Sequence, residues 1–379
     1  MLTLRPGSQA FLLVSLLAVT GEFPLRSLHL LGNERVLREL VRRGSGRQVI
    51  RNSDGSAQVD TRLFQISGRG RDKSLRLYKT ALSVLDWLHP TAYRYYMDSF
   101  YGHHFPGGSA HRERNHRVAE AAAVFMRSGA EIRPYLLPAL QTESIRQTVT
   151  GGRHTFYFAR DLKKLRAGEQ NKTMFTRTVG ALFSTGSCYA MYNTRASAMK
   201  WNGLGEFKAL HSLNELARMN AGVGVDSAIL FGASEEMALA TLAASAHPNR
   251  PEFRFDRIYP HIHFVPLDSF GARMLKLLLT PDWNGKMLNA LFDPEDRFKS
   301  GMGLTERDAV VGGASVLSHF DGDIARLMRF REAAELCGDK YEVLCFPEQA
   351  GFVAEYMGTL AAVRTITIDE LEEAMGLET

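Results

Sequence analysis

The sequence predicts an α/β protein. It reads as an N-terminal winged helix-turn-helix over residues 1–80, a helical connector over 81–150 and a mostly parallel α/β sheet domain over 151–379. Three observations predict this. Capped helical segments followed by β-rich runs fill the first 80 residues. After residue 151, short apolar runs alternate with longer helical ones. The chain has 379 residues, 45% hydrophobic and 23% charged, enough for two or three domains at roughly 100–200 residues each. That composition excludes collagen-like, disordered and disulfide-scaffold classes.

The head is justified element by element. Ser8 caps a helix over about 9–19, and Gly21 ends it. Its apolar run, Ala10 to Val19, is too short to span a bilayer and lacks a small-x-small cleavage site, so it reads as a buried helix. Pro24 opens a short helix over roughly 24–31, and Gly32 breaks it. Asn33 caps a third helix, Glu34 to Arg43, stopped by Gly44. Val36, Leu37, Leu40 and Val41 form its apolar stripe. Arg47–Arg51 and Thr61–Ile66, around the polar tip Asn52–Ser56, read as a hairpin, and a third β-run, Leu75–Tyr78, follows the basic loop Ser67–Ser74.

Charge points to a polyanion. Residues 1–150 hold 21 Lys+Arg against 12 Asp+Glu, although the whole chain carries only +5. Residues 1–80 alone hold 14 against 6. A winged helix lays its third helix in the major groove and its wing on the flanking backbone. Arginine suits both, pairing bidentately with phosphate or guanine. The expected DNA contacts are Arg35, Arg38, Arg42 and Arg43 on the third helix, with Arg47, Arg51, Arg62, Arg69, Arg71 and Lys73 beyond it.

In the connector, Ala81–Leu88 reads as a helix ended by His89-Pro90, and Thr91 caps another that carries Tyr93, Tyr95, Tyr96 and Tyr101. Paired tyrosines resemble nicking nucleophiles, but a phenol needs a metal or base beside it. These aromatics are expected to pack instead. Gly102–Gly108 is a loop, and Ser109–Ser128 a long helix. His111 and His116 are five apart, so they do not share a face as metal ligands at i,i+4 would.

The winged helix, the short aromatic-rich helix and the His111-Arg-Glu-Arg-Asn115-His116-Arg-Val118-Ala119 helix together resemble the replication-relaxation family over about residues 8–140. The resemblance implies DNA binding tied to replication or relaxation of a plasmid or integrative element.

In the body, strands are expected at 154–158, 188–193, 226–231, 261–265, 314–317, 341–346 and 363–368. Helices are expected at about 171–184, 205–220, 234–246, 270–279, 322–336 and 348–358. His261-Ile262-His263 places two imidazoles on one sheet face. They are the candidate catalytic and metal-ligating pair for a nicking enzyme that would use Mg²⁺ or Mn²⁺. The helix after them lacks a tyrosine, so hydrogen-bonded strand histidines are the expected role and no cofactor is required. Glu206-Phe-Lys208 has the Glu-x-Lys form of a nuclease but opens a helix, and His319, Asp321 and Asp323 mark a strand-to-helix junction where a cap is expected. Gly222-Val-Gly224 and Gly312-Gly313 fail as phosphate loops.

Cys188, Cys337 and Cys345 are odd in number and form no CxxC, which points to a reducing cytoplasm and no structural zinc. The expected function is therefore a cytoplasmic DNA-binding protein of a mobile element, acting in replication, relaxation or transfer. Its expected partner is double-stranded DNA, with no membrane; a homodimer and replication or transfer proteins of the same element are further partners. The alternatives are a metal-dependent nicking enzyme and a transcriptional regulator whose α/β half senses a ligand or dimerises.

Overall fold

A computed structural model describes residues 1–100, 102–105, 108–136, 143, 146–147, 152–165, 177–199, 204–245, 254–298 and 306–377. The protein is mixed α/β. It begins with β1 (Leu2–Leu4), α1 (Gln9–Thr20), β2 (Glu22–Pro24), a 3₁₀ stretch (Leu25–Leu31) and α2 (Glu34–Gly44). Ser8 Oγ accepts from Phe11 N at 3.3 Å and Asn33 Oδ1 from Val36 N at 3.2 Å, so both expected caps form. Gly21 ends α1 at φ +76°, and a Cβ there would lie 2.4 Å from the Phe100 ring, so only glycine fits.

The next strands are β3 (Gln48–Asn52), β4 (Gln58–Thr61), β5 (Phe64–Ser67) and β6 (Ser74–Leu77). The expected single hairpin is two. β3 pairs antiparallel with β4, and β1 joins it in parallel. β5 turns away to pair with β6, giving a separate sheet of order β2–β6–β5. The split falls at Arg62-Leu63, where Leu63 N donates to Gly44 O at 2.8 Å and Leu63 and Phe64 are buried beneath α2. Burying that apolar pair fixes β5 to the core side.

α3 (Leu82–Leu88), α4 (Pro90–Ser99) and α5 (Ser109–Arg127) follow. The cap of α4 is His89, whose Nδ1 accepts from Ala92 N at 3.2 Å, with Pro90 in the first turn in place of the expected Thr91 cap. Tyr101 lies outside the described residues. α5 is the pivot of the molecule. Ala119, Ala121, Ala122, Ala123, Val124 and Phe125 have no exposed surface. Their small side chains let α1, β2 and the 3₁₀ stretch approach from one side and the body sheet from the other. Phe125 stacks on Phe156 at 4.7 Å and meets Phe231 edge-on at 5.5 Å. One apolar core thus runs from Leu4 through α5 to Leu371, across positions 80 and 150.

The body continues with β7 (Thr155–Phe158), α6 (Ala159–Leu162), β8 (Thr178–Ser184), β9 (Ser187–Arg195), α7 (Leu204–Ala221), β10 (Ser227–Gly232), α8 (Glu236–Ser245), α9 (Phe255–Ile258) and β11 (His261–Pro266). Then come α10 (Ser269–Leu278), α11 (Trp283–Leu291), β12 (Ala309–Val311), β13 (Ala314–Ser318), α12 (Ile324–Leu336), β14 (Lys340–Cys345), α13 (Pro347–Met357), β15 (Ala362–Thr365) and α14 (Ile368–Ala374).

The strands form two sheets, β11–β10–β9–β8–β7 and β12–β13–β14–β15. β9–β10–β11 and β13–β14–β15 pair in parallel, whereas β7–β8–β9 and β12–β13 are antiparallel, so both sheets are mixed: the four-stranded one is mostly parallel, as expected, and the five-stranded one is half antiparallel. The described part of the helix expected over 171–184 is strand β8; residues 171–176 lie outside the described residues. Every residue of β8 is buried, so its sequence lacks the alternation that marks a strand. The sheets meet where Phe264 N donates to Gly322 O at 2.8 Å and His263 bridges Asp323. No helix among the described residues is long and apolar enough to cross a membrane.

Candidate functional site

Three places carry the polar chemistry. The first is the basic surface of the head. Arg35, Arg38, Arg42, Arg43, Arg47, Arg62, Arg69, Arg71 and Lys73 are exposed and Arg51 is half-buried. They are not equally available. Arg38 pairs with Glu34 at 2.5 Å, Arg42 with Glu39 at 2.6 Å and Arg47 with Asp60 at 3.2 Å. Arg51 Nε donates to Thr3 Oγ1 at 3.0 Å, and Arg62 sits over the Tyr78 ring. Arg35, Arg43, Arg69, Arg71 and Lys73 have no ion pair with a described residue. The last three lie on the β5–β6 loop.

The second is the strand-to-helix junction around His263. The two histidines do lie on one face, but their rings are nearly parallel with centroids 6.4 Å apart, so they do not converge on one ion. The donors that do approach, all within 4.8 Å, are those of His263, Asp321 and Asp323. Asp323 is heavily engaged. Its Oδ1 accepts from Ile262 N, Ala325 N and Arg326 N at 3.0–3.1 Å, and its Oδ2 lies 2.7 Å from His261 Nδ1. It therefore caps α12, as expected, and also clamps β11. His263 Nδ1 lies 3.2 Å from Asp321 O and 3.5 Å from its carboxylate.

Burial pushes the Asp323 carboxyl up, but the His261 hydrogen bond and the charges of His263 and His261 outweigh it and hold the group well below the usual carboxylate range. The same hydrogen bond raises His261 above its ordinary value, against its desolvation. Asp321, desolvated, is raised. Arg326 closes the cluster, bonding Glu306 at 2.8 Å and Asp308 at 2.7 Å. His319 sits fully buried beside it with neither ring nitrogen bonded to a described residue, and desolvation lowers it to about 4. Tyr189, from β9, meets His263 edge-on at 5.9 Å. The sequence reading missed this aromatic because it arrives from two strands away; Tyr189 and His261 share the register partner Ser227.

The third is the seam between α5 and the end of β9, which no motif announced. Arg195 is held at φ +56°, a left-handed conformation unusual for a side chain of this size. Its guanidinium forks onto Glu120, Nε to Oε2 at 2.6 Å and Nη2 to Oε1 at 2.8 Å, and Nη1 bonds Glu113. Glu120 also accepts from Ser27 Oγ of the head at 2.7 Å. Asn193 Nδ2 donates to Arg117 O at 2.9 Å and its Oδ1 receives Arg195 N at 3.1 Å. Head, central helix and sheet are thereby tied at one buried point. Desolvation raises Glu113, but Arg195 and two further arginines bring it below its ordinary value.

The remaining candidates are structural. Tyr95 Oη donates to Asp161 at 2.8 Å and receives Arg160, and Tyr96 Oη lies 2.8 Å from His103 Nδ1. Both tyrosines are buried, and desolvation raises both, so neither is a ready nucleophile. Glu206 is buried in the first turn of α7 with Arg177 at 3.1 Å, while Lys208 is exposed. His116 is buried with Nε2 2.6 Å from Ser74 Oγ, and His111 is exposed. Comparison with family models, with curated proteins and with solved structures found no match to this chain.

Proposed function

We propose that the chain binds double-stranded DNA through its first 80 residues, in the replication, relaxation or transfer of a mobile element. The observation that carries the reading is the set of exposed cations without an ion pair among the described residues, Arg35, Arg43, Arg69, Arg71 and Lys73, on α2 and the β5–β6 loop. Helix, strand, turn, helix, then a two-stranded hairpin returning to β2 is the order of a winged helix. In it α2 is the reading helix and the loop 68–73 is the wing, rather than the tip at 52–56. Val36 stands exposed at the first turn of α2, where a thymine methyl group would meet it. The setting in a mobile element rests on the resemblance to the replication-relaxation family.

Because the head shares its core with α5, surface substitution tests this better than deletion. Arg69→Ala/Arg71→Ala/Lys73→Ala in the full chain should weaken duplex binding by about tenfold or more and flatten the dependence of log K on log salt by about 2–3. Unchanged affinity and salt slope would remove the head from the interface.

A second reading, metal-dependent nicking, is favoured by one observation: Tyr189 beside the His263–Asp321–Asp323 group, where a bound metal would have to offset the desolvation that raises this phenol as it does Tyr95 and Tyr96. It requires plasmid relaxation with Mg²⁺ or Mn²⁺ that is lost in both Tyr189→Phe and His263→Ala. Persistence of relaxation in either variant removes that residue from the chemistry.

A further inference from the structure

The seam around Arg195 is open on both sides. A cavity of about 520 Å³ lies on the β8 side and one of about 410 Å³ on the head side, and they share Glu113, Arg117, Thr194 and Ser197. They form one groove along the N-terminal half of α5. Guanidinium groups reach it from three elements: Arg114 and Arg117 from α5, Arg26 from the 3₁₀ stretch of the head, and Arg177 from the approach to β8.

We infer that this groove binds the phosphodiester backbone of a single nucleic-acid strand. The floor is prepared for an anion. The two carboxylates that would repel one are occupied by Arg195, Glu120 from both of its oxygens and Glu113 from one. Among the rim cations, Arg177 is held by Glu206 at 3.1 Å and Arg26 lies 3.7 Å from Glu113, which leaves Arg114 and Arg117 as the pair that meets an anion first. Arg117 Nε is buried without a hydrogen-bond partner among the described residues and is 3.5 Å from Glu113, and Arg114 is exposed with no described ion pair. Ser197 adds a hydroxyl donor, whereas Thr194 Oγ1 donates to Phe231 O at 3.3 Å.

Size decides between strand and duplex. Cavities of a few hundred Å³ suit a ligand of a few nucleotides, too narrow for a double helix. Two adjoining cavities with cations from several elements suit a chain of phosphates over a single one. On another face of α5, Arg112, one turn before His116, lies 3.3 Å from where a Cβ on Gly68 of the basic loop would stand, and it lines neither cavity. Aromatic stacking partners are lacking among the described lining residues, Tyr192 being buried, so binding is sequence-tolerant.

This inference extends the DNA-binding reading, and its test separates the two. Fluorescence anisotropy on the full chain would use a labelled dT₁₅, an rU₁₅ and a 30-bp duplex. Arg114→Ala/Arg117→Ala should weaken dT₁₅ at least tenfold, lower its salt slope by about 1.4, and leave the duplex within twofold. The Arg69/Arg71/Lys73 alanine variant should do the reverse. Arg114→Lys/Arg117→Lys, retaining charge, should recover most of the strand affinity and controls for folding. Preference for rU₁₅ over dT₁₅ would assign the strand as RNA. If the wild-type chain does not bind either strand, or the alanine pair binds as tightly as wild type, the groove is not a strand site, whatever the duplex result. If the strand binds and the duplex does not, the groove stands and the head reading falls.

Discussion

Replacing Glu120 by alanine is the most direct test of how this molecule is held together. Glu120 is 3% exposed and Arg195 is 9% exposed. The substitution removes a two-pronged ion pair and a hydrogen bond from Ser27, and leaves a buried guanidinium with only Glu113. Breaking one side of a buried pair costs about 3–5 kcal/mol, because the remaining charge is desolvated without compensation. With unfolding entropy of about 2.1 cal/mol/K per residue, a chain of this length loses roughly 4–6 °C in Tm. The assay is urea unfolding followed by tryptophan fluorescence and by circular dichroism. Since Ser27 belongs to the head, Glu120 to α5 and Arg195 to β9, both probes should move together in a single earlier transition. Glu120→Leu/Arg195→Met, which removes both charges, should recover part of the loss. A cost below about 1 kcal/mol, or a head transition that stays in place while the body shifts, would refute the shared-core argument.

Three further outcomes follow from single residues. Burial, with Asp268 and Glu348 nearby, pushes Glu235 up from 4.5 to about 8. Its neutral form is the one the fold accepts, so its contribution is intact below about pH 4.5 and lost as pH rises through 8. Glu235→Gln should therefore gain on wild type by on the order of 1–3 kcal/mol between pH 5 and 8.5 in urea midpoints. His319 behaves oppositely in pH: the fold keeps it neutral, so stability is lost as pH falls from 6.5 towards 4. His319→Leu should flatten that decline and be neutral or stabilising at pH 7, where it removes an unbonded polar group. Gly180→Ala, whose Cβ would lie 2.2 Å from Tyr157 O, should cost about 2 kcal/mol or more in the same assay, whereas Gly205→Ala, facing open space, should cost nothing.

What the sequence made legible was local. The caps at Ser8 and Asn33, the helix 109–128 and most parallel strands carry their own signals in side-chain hydrogen bonding and period. What it hid was set by packing. The β5 partner was misassigned because Thr61 to Ile66 looks like one run, and only the burial of Leu63 and Phe64 under α2 breaks it. β8 was read as helix because a strand buried on both faces shows no alternation. Helix α11 has no side-chain cap at its start, whereas the short β12 is announced by Gly312-Gly313, both at positive φ, which turn it back onto β13. At the sites, His261 and His263 were found by spacing, yet Tyr189 and the Glu120–Arg195 fork join positions 74 and 75 residues apart, which no local pattern encodes.

The charge asymmetry takes on a different meaning with α5 at the centre. Lys and Arg exceed Asp and Glu by eight in residues 1–80, and the surplus does not stop there, since Arg112, Arg114 and Arg117 add to it along one helix. That helix is buried at its C-terminal half by alanines, and its N-terminal half carries the exposed Arg114 and the half-buried Arg112 and Arg117. The first property fuses head to body; the second sets Arg112 beside the basic loop of the head and Arg114 and Arg117 on the seam. A helix that served only as a tether would need neither. Arg112 and Arg114 stand about 200° apart on α5, so a phosphate chain leaving the wing near Arg69 reaches Arg114 and Arg117 by passing round the helix, without any domain motion. Duplex and strand binding by one chain should then be coupled: a duplex carrying a single-stranded extension should bind tighter than either part alone, by an effective-concentration gain of 10²-fold or more for a short, well-matched span. Affinity no better than that of the blunt duplex would show that the two surfaces do not act on one nucleic acid.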